Sequence, residues 1–483
     1  MKLTPETLPD FVNTMGTESN SADALLAAAQ SLSEEAFGKQ DMHSFLSTAG
    51  SESVQKSIAE SGNIDAWLRE IFGLTESSRY HMGHVIEARA HSFGSKPVFQ
   101  IIQPDEIVKI SYSQLWKYIK RTGLGLLALT EGKEPVIGIL TPNTFKGALV
   151  DLACLSFGFL VVPLPLNSTS EDLSYIIDHS GITHIFSGGQ RAAGLLSAAV
   201  LPASDIQVIQ LRAKDLSSPS HISWDDFLAA GAAMDESDLL KRRDSMDMNG
   251  LATVMYTSGT TAHPKGIVFT PMNLVSKRFA RALALPGIGS DDIFLSFLPL
   301  YHTFGRYLEM LGSIFLGATY TFARSPQFRS LLADFKIIRP TVFISVPKRW
   351  SQIHEQCSGS SLDNITGGRL KWGLSAAGYL EPEVFRFFQK NGVSLMSGYG
   401  MTEATGGITM TPSDDYRPDS VGKALPGVEA ALAEDGELMI RGPYVSPGYL
   451  GDNRMLIIRE SAWFHTGDIF EESDGHFTIV DRK

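Results

Sequence analysis

At 483 residues, with 43% hydrophobic and 19% charged side chains, the chain has room for about three structural units of the common ~150-residue size. Its composition excludes the disordered, collagen-like and coiled-coil classes. A formal net charge of -12 argues against a protein that tracks a phosphate backbone, which needs an excess of Lys and Arg, so no nucleic-acid partner is expected.

Residues 1–78 hold 12 acidic and 4 basic side chains and form an extension that carries most of the net charge. Helical periodicity is present over 22–32 and 63–72, broken by Gly16, Gly50 and Gly62, and two readings stay open: a packed extension or a partner-binding arm. No apolar signal core follows the N-terminus. Only Cys154 and Cys357 occur, too few for a disulfide framework or a Cys-rich zinc site, so a cytoplasmic location is expected.

From residue 79 strands and helices alternate: a short apolar run at 136–140, a helix over 145–158, a strand within 159–164, a helix over 170–179 and a strand at 183–187. Such alternation implies a parallel sheet covered on both faces and a first α/β unit over 79–250. The most apolar stretch, 152–166, is short and contains Ser156, Pro163 and Pro165, against the ~20 apolar residues a spanning helix needs. No transmembrane helix is expected; peripheral membrane contact stays open.

The pattern returns over 251–410, a second α/β unit, with strands expected at 254–257, 293–297, 318–322, 342–346, 372–375 and 394–398. Over 411–483 the strands become short and closely spaced, with turns such as Glu434-Asp435-Gly436 and Ser473-Asp474-Gly475, which suggests a small antiparallel barrel.

The most informative segment is YTSGTTAHPKG, residues 256–266. Tyr256, Thr257, Ser258, Thr260 and Thr261 surround Gly259, with Lys265 beyond, and so many donors plus a cation on a turn can wrap a phosphate chain. It is not a Walker A loop, since Pro264 precedes the Lys and Gly266 stands where Ser or Thr would meet magnesium.

This segment resembles the signature of the acyl-adenylate-forming family, which includes acyl-CoA synthetases, luciferases and adenylation domains. Further motifs of that family follow in order: LPLYHTFGR (298–306), SAAG (375–378), GYGMTEATGG (398–407), GELMIRG (436–442), WFHTGD (463–468) and IVDRK (479–483). Ala262 departs from the pattern, which usually has Gly there. The resemblance implies the large N-terminal domain of the adenylate-forming fold, two parallel-sheet α/β subdomains plus a small antiparallel β-barrel. It also implies a two-step reaction in which a carboxylate attacks the α-phosphate of ATP and a thiol then takes the acyl group from acyl-AMP.

By the same resemblance Glu403 matches the magnesium carboxylate, and Mg²⁺ bound by one carboxylate and phosphate oxygens suits that role. Thr257, Ser258, Gly259, Thr260, Thr261 and Lys265 would hold the phosphates, and Thr402 would reach the α-phosphate. Tyr399 would pack on the adenine beside Gly400, with Ala376, Ala377 and Gly378 at the base edge. Asp468 would accept the ribose hydroxyls and Arg482 would contact ribose and phosphate. His302, Thr303, Phe304 and Gly312 would border the acyl group, the apolar run 307–322 lining either a channel or the core. Catalytic roles fall to Glu403, Thr402, His302 and Lys265.

No Asp stands in LPLYHTFGR to hold an ammonium, which disfavours an amino-acid substrate; with 339–350, RPTVFISVPKRW, the look is that of medium- or long-chain fatty acyl-CoA synthetases. The expected partners are ATP, a fatty acid and CoA, or the phosphopantetheine of a carrier protein. A fatty acyl-AMP ligase or carrier-loading module, and a non-catalytic nucleotide- or acyl-binding regulator, are the alternatives. Family members continue past IVDRK into a smaller domain with a further Lys, so weak turnover is expected of this chain alone.

Overall fold

The computed structural model describes residues 3–17, 21–34, 37–130, 134–199, 206–212, 221–257, 263–285, 287–412, 414–452 and 455–483. Two sheets organise them, one of 13 strands and one of 9. The apolar runs of the first unit become the parallel strands Val136–Leu140, Leu160–Pro163 and His184–Ser187. Helices Phe145–Phe157 and Ser170–Ser180 lie between them, each opened by a Thr hydroxyl that accepts a first-turn N–H, Thr144 from Gly147 and Thr169 from Asp172. The larger sheet is built on the parallel strands Ile293–Ser296, Thr319–Phe322, Val342–Ser345, Trp372–Ala376 and Ser394–Met401.

The sheets cross the chain boundaries at 250 and 410. Thr253–Thr257 pairs with Leu160–Pro163 of the first unit and turns back as a hairpin with Lys265–Phe269, and Gly448–Leu450 and Leu456–Ile458 extend that same sheet. In the other direction, the hairpin Pro97–Ile102 and Ile107–Ser111 closes the far edge of the larger sheet, against Thr319–Phe322. Open sheet edges recruit whatever strand reaches them, so pairing follows tertiary proximity rather than chain order. Of the tail strands, Ser420–Ala424, Glu429–Leu432, Glu437–Arg441, Phe464–Ser473 and His476–Arg482 pair antiparallel and join the larger sheet through Gly406–Met410.

The N-terminal extension is packed. Helices Leu8–Thr14, Ala22–Glu34, Lys39–Ala49, Glu52–Ser61 and Ile64–Ser78 bury Leu25, Phe45, Ile58, Trp67 and Ile71. The last two helices lie against the helix Pro271–Ala284, of which every residue from Pro271 to Leu283 is buried.

A buried ion pair joins the two sheets. Arg306 donates from Nε to Asp151 Oδ2 at 2.9 Å, from Nη2 to Asp151 Oδ1 at 2.5 Å and from Nη1 to Thr253 Oγ1 at 2.8 Å. Asp151 belongs to the helix Phe145–Phe157 and Thr253 to the smaller sheet, whereas Arg306 follows a strand of the larger one.

Where the extension meets the body, three histidines cluster. His81 caps the helix Met82–Phe93: its Nδ1 accepts from Gly83 N at 3.1 Å, so its Nε2 is the nitrogen that donates to the Arg243 carbonyl, also at 3.1 Å. His84 Nε2 reaches Asp244 at 3.4 Å, and His43 Nε2 donates to the Ser78 carbonyl at 3.0 Å. Burial lowers the pKa of all three, that of His84 to about 4 against the opposing pull of Asp244.

Two outcomes are expected. Asp151→Asn leaves the Arg306 guanidinium buried without its counter-charge and costs about 3–5 kcal/mol in urea unfolding, whereas the double change Asp151→Leu with Arg306→Met recovers most of that loss; a single-mutant loss below ~1 kcal/mol would contradict this. The histidines bind protons more readily in the unfolded chain, so stability is full above the unfolded value of about 6.5 and falls as pH drops from there toward about 4. The midpoint of thermal unfolding at about pH 5.5 therefore lies below that at about pH 7.5, less so in His84→Gln; a midpoint unchanged or higher in acid would refute the assignment.

Candidate active site

In open α/β sheets, ligands bind beyond the carboxyl ends of the strands, and the motif residues lie there. LPLYHTFGR follows Ile293–Ser296, Ala377 and Gly378 follow Trp372–Ala376, and Tyr399 and Gly400 form the end of Ser394–Met401. The smaller sheet sends its own strand ends toward the same cleft. Asn143, just beyond Val136–Leu140, donates to the Leu298 carbonyl at 2.7 Å and accepts from Leu300 N at 3.0 Å, which fixes the start of the His302 segment.

The segment expected to hold phosphates is the connection of a hairpin. Thr257 and Lys265 face each other as the last pair of the ladder, and Ser258, Gly259, Thr260 and Thr261 lie outside the described residues. Lys265 is exposed at the mouth of the cleft, its Nζ 6.0 Å from the centre of the Tyr449 ring. The Tyr449 hydroxyl donates to Glu403 Oε1 at 3.2 Å. Burial raises the Glu403 pKa above the ordinary carboxylate value, and the Tyr449 hydrogen bond and the charges of Lys265 and Arg482 pull the other way. This carboxylate is desolvated and short of positive charge, the condition in which a cation is bound well.

The backbone around Glu403 is tightly constrained. Thr402, Glu403 and Ala404 form a single 3₁₀ turn, followed by Thr405 at φ 54°, and Ala377 is held at φ 64°. Non-glycine residues in the left-handed region store strain that clusters at functional sites. Gly400 is required by close approach, since a Cβ there would lie 2.1 Å from the Gly406 carbonyl oxygen.

Tyr399 and Asp468 meet across the cleft: the Tyr399 hydroxyl donates to Asp468 Oδ2 at 2.5 Å. Arg482 stands opposite Asp468 in the strand pair Phe464–Ser473 and His476–Arg482, its Nε 3.5 Å from Oδ1. Asp468 is held by the turn before it. Glu437 Oε1 accepts from Gly467 N at 2.8 Å while Glu437 Oε2 accepts from Lys483 Nζ at 2.7 Å. Burial and the adjacent Asp468 raise the Tyr399 pKa, so the phenol stays protonated.

The acyl-side residues are less closely grouped. His302 reaches solvent, makes no side-chain hydrogen bond among the described residues, and has its pKa lowered by partial desolvation. Thr303 precedes a π-helix, Phe304–Leu311, a form often found at functional sites, and faces Gly406 beside the Glu403 turn. Gly305 lets this helix close on the preceding loop: a Cβ would lie 2.4 Å from the Leu298 carbonyl oxygen. Phe304 lines a cavity together with Ala376 and Tyr399. Gly312 lies outside that lining, against Arg278, and most of 307–322 is packed in the core.

Sequence reasoning missed Asn143, Tyr449 and Glu437 as supporting residues, and Lys277, Arg278 and Arg281, which also line the cavity. GELMIRG pointed to Glu437 without a role. For the others the signal is tertiary.

Comparison with known proteins shows the family. The chain is 26% identical over 416 residues to the long-chain-fatty-acid–CoA ligase FadD15 of Mycobacterium bovis, covering 76% of this chain and 68% of that one. It is likewise 26% identical over 439 residues to the peroxisomal long chain acyl-CoA synthetase 7 of Arabidopsis thaliana, covering 77% and 62%. It thus spans about two thirds of the length of these relatives. Among solved structures, the inhibitor-bound N-terminal domain of FACL13 from Mycobacterium tuberculosis superposes with a TM-score of 0.70 at 20% identity, over 83% of this chain and 100% of that one. The o-succinylbenzoate CoA synthetase of Bacillus subtilis, solved with its acyl-adenylate intermediate, gives 0.66 at 22% identity, over 83% and 78%. With the AMP-binding enzyme model matching residues 86–450, a span that holds the hairpin, the Glu403 turn and the His302 segment, the chain belongs to the AMP-binding enzyme family.

Proposed function

We propose that the chain carries the nucleotide and acid sites of an AMP-forming acid–thiol ligase that activates fatty acids and passes the acyl group to CoA. The observation that supports this best is the desolvated Glu403 carboxylate, held by Tyr449 at the mouth of the hairpin that ends in Lys265. An in-line displacement at phosphorus needs positioning and charge neutralisation more than covalent help, and these residues supply both.

In this reading the adenine lies on Tyr399 beside the small residues Ala376, Ala377 and Gly378. Asp468 exchanges its hydrogen bond from Tyr399 for the ribose hydroxyls, and Arg482 stays beside it. The hairpin donors and Lys265 receive the β- and γ-phosphates, and Thr402 orients the α-phosphate. The acid enters past His302 and Thr303, and one of its oxygens bonds to the α-phosphorus as the bond to pyrophosphate breaks. Among the described residues no group of three or more metal-ligating side chains occurs, which fits Mg²⁺ held by Glu403 and phosphate oxygens rather than by an all-protein cage. Bound there, Mg²⁺ would neutralise phosphate charge. A carrier-protein thiol remains the alternative acceptor, and comparison of free CoA with phosphopantetheinylated carrier distinguishes the two.

The reading is tested by acid-dependent exchange of labelled pyrophosphate into ATP. Exchange is expected with a fatty acid present, and Glu403→Gln, which keeps the shape and removes the charge, should lower it by about 10²- to 10³-fold. Exchange in Glu403→Gln at the parent rate would contradict the role given to this carboxylate.

A further inference from the structure

The cavity beside Tyr399 has a charged wall. Lys277, Arg278 and Arg281 line it, and Lys277 and Arg281, one helical turn apart, share a face of the helix Pro271–Ala284. They are 3%, 2% and 8% exposed, whereas Lys and Arg are almost never so buried without a partner of opposite charge. The acceptors they have are neutral: Lys277 donates to the Gly407 carbonyl and Arg278 to the Tyr307 carbonyl. Lys277 also lies over the Tyr444 ring, 3.8 Å from its centre. Arg278 Nε and Arg281 Nε are buried without a hydrogen-bond partner, and no carboxylate among the described residues acts on any of the three cations.

Burial lowers the three pKa values, Arg278 to about 9 and Arg281 to about 10, and the neighbouring guanidiniums lower those of Lys277 and Arg278 further. Both guanidiniums therefore stay protonated at neutral pH. A purely structural helix gains nothing from two such buried guanidiniums, because apolar residues of similar size would pack there without the desolvation cost. The same charges are favourable if an anion occupies the cavity in the working state.

We propose that this cluster is a subsite for a second carboxylate of the acid substrate, so that among fatty acids those with an ω-carboxylate are preferred. The inference rests on the ligase reading and deepens it. One carboxylate bonds through oxygen to the α-phosphorus, with pyrophosphate leaving, and the other stays ionised and unreacted between Arg281 and Lys277.

The test is calorimetric binding of acyl sulfamoyladenosines to the full chain, comparing ω-carboxyacyl analogues from succinyl to sebacyl with plain acyl analogues of the same length. At one length the ω-carboxy analogue should bind about 30-fold tighter or better. Arg281→Met should abolish that preference and raise the midpoint of thermal unfolding, since an apolar side chain replaces an unpaired buried charge. Equal or tighter binding of the plain series would overturn the proposal. So would a fall in unfolding midpoint with equal loss for both series, which would make Arg281 structural, or stabilisation by inorganic sulfate with no diacid preference, which would make this a free-anion site. If AMP binds and only the preference is missing, this inference alone fails; if neither series nor AMP binds, the ligase reading fails with it.

Discussion

The contacts of Arg306, a guanidinium with no access to water, define how the two sheets sit. Its fork closes on both oxygens of Asp151 and on Thr253, which places the smaller sheet and its covering helix against the segment that follows Ile293–Ser296. Bidentate Arg–carboxylate geometry is stringent in angle as well as distance, so the pair sets orientation as well as attachment. Asn143 repeats the link at the other end of the same segment. The strand ends of both sheets thereby open on one cleft, and His302, Thr303 and Phe304 are carried on a segment anchored at its two ends.

From that anchoring the division of labour in the cleft follows. The hairpin of the smaller sheet contributes Thr257 and Lys265, the larger sheet contributes Tyr399 and the Glu403 turn, and the antiparallel tail contributes Asp468 and Arg482. Tyr399 and Asp468 already touch, and Tyr449 bridges from the smaller sheet to Glu403. A nucleotide in this cleft would be held by all three regions at once, and its binding would depend on their relative placement more than on any one side chain.

Much of this was legible in the sequence, for identifiable reasons. Strands buried on both faces, such as Val136–Leu140, read as unbroken apolar runs, and their length comes out correctly. The hydroxyl-rich stretch after Tyr256 points to the end of the strand Thr253–Thr257, which opens on the cleft. Local pattern carries no information about which sheet a strand joins, so Lys265–Phe269 and the Pro97–Ser111 hairpin could be placed only by tertiary contact. The cations of Pro271–Ala284 were invisible for another reason: a helix with Lys277, Arg278 and Arg281 on one side reads as amphipathic with that side in water. Here the extension helices Glu52–Ser61 and Ile64–Ser78 cover the helix from outside, and its charged side faces the cavity instead.

One nucleotide gripped by residues from both sheets and the tail is what these contacts require. The most direct measurement is the crystal structure of the chain with AMP. The account predicts adenine stacked on Tyr399, both ribose hydroxyls on Asp468 and the phosphate between Thr402 and the Glu403–Lys265 side of the cleft. A nucleotide bound elsewhere, or bound in the cleft with Tyr399 and Asp468 still joined to each other, would contradict it.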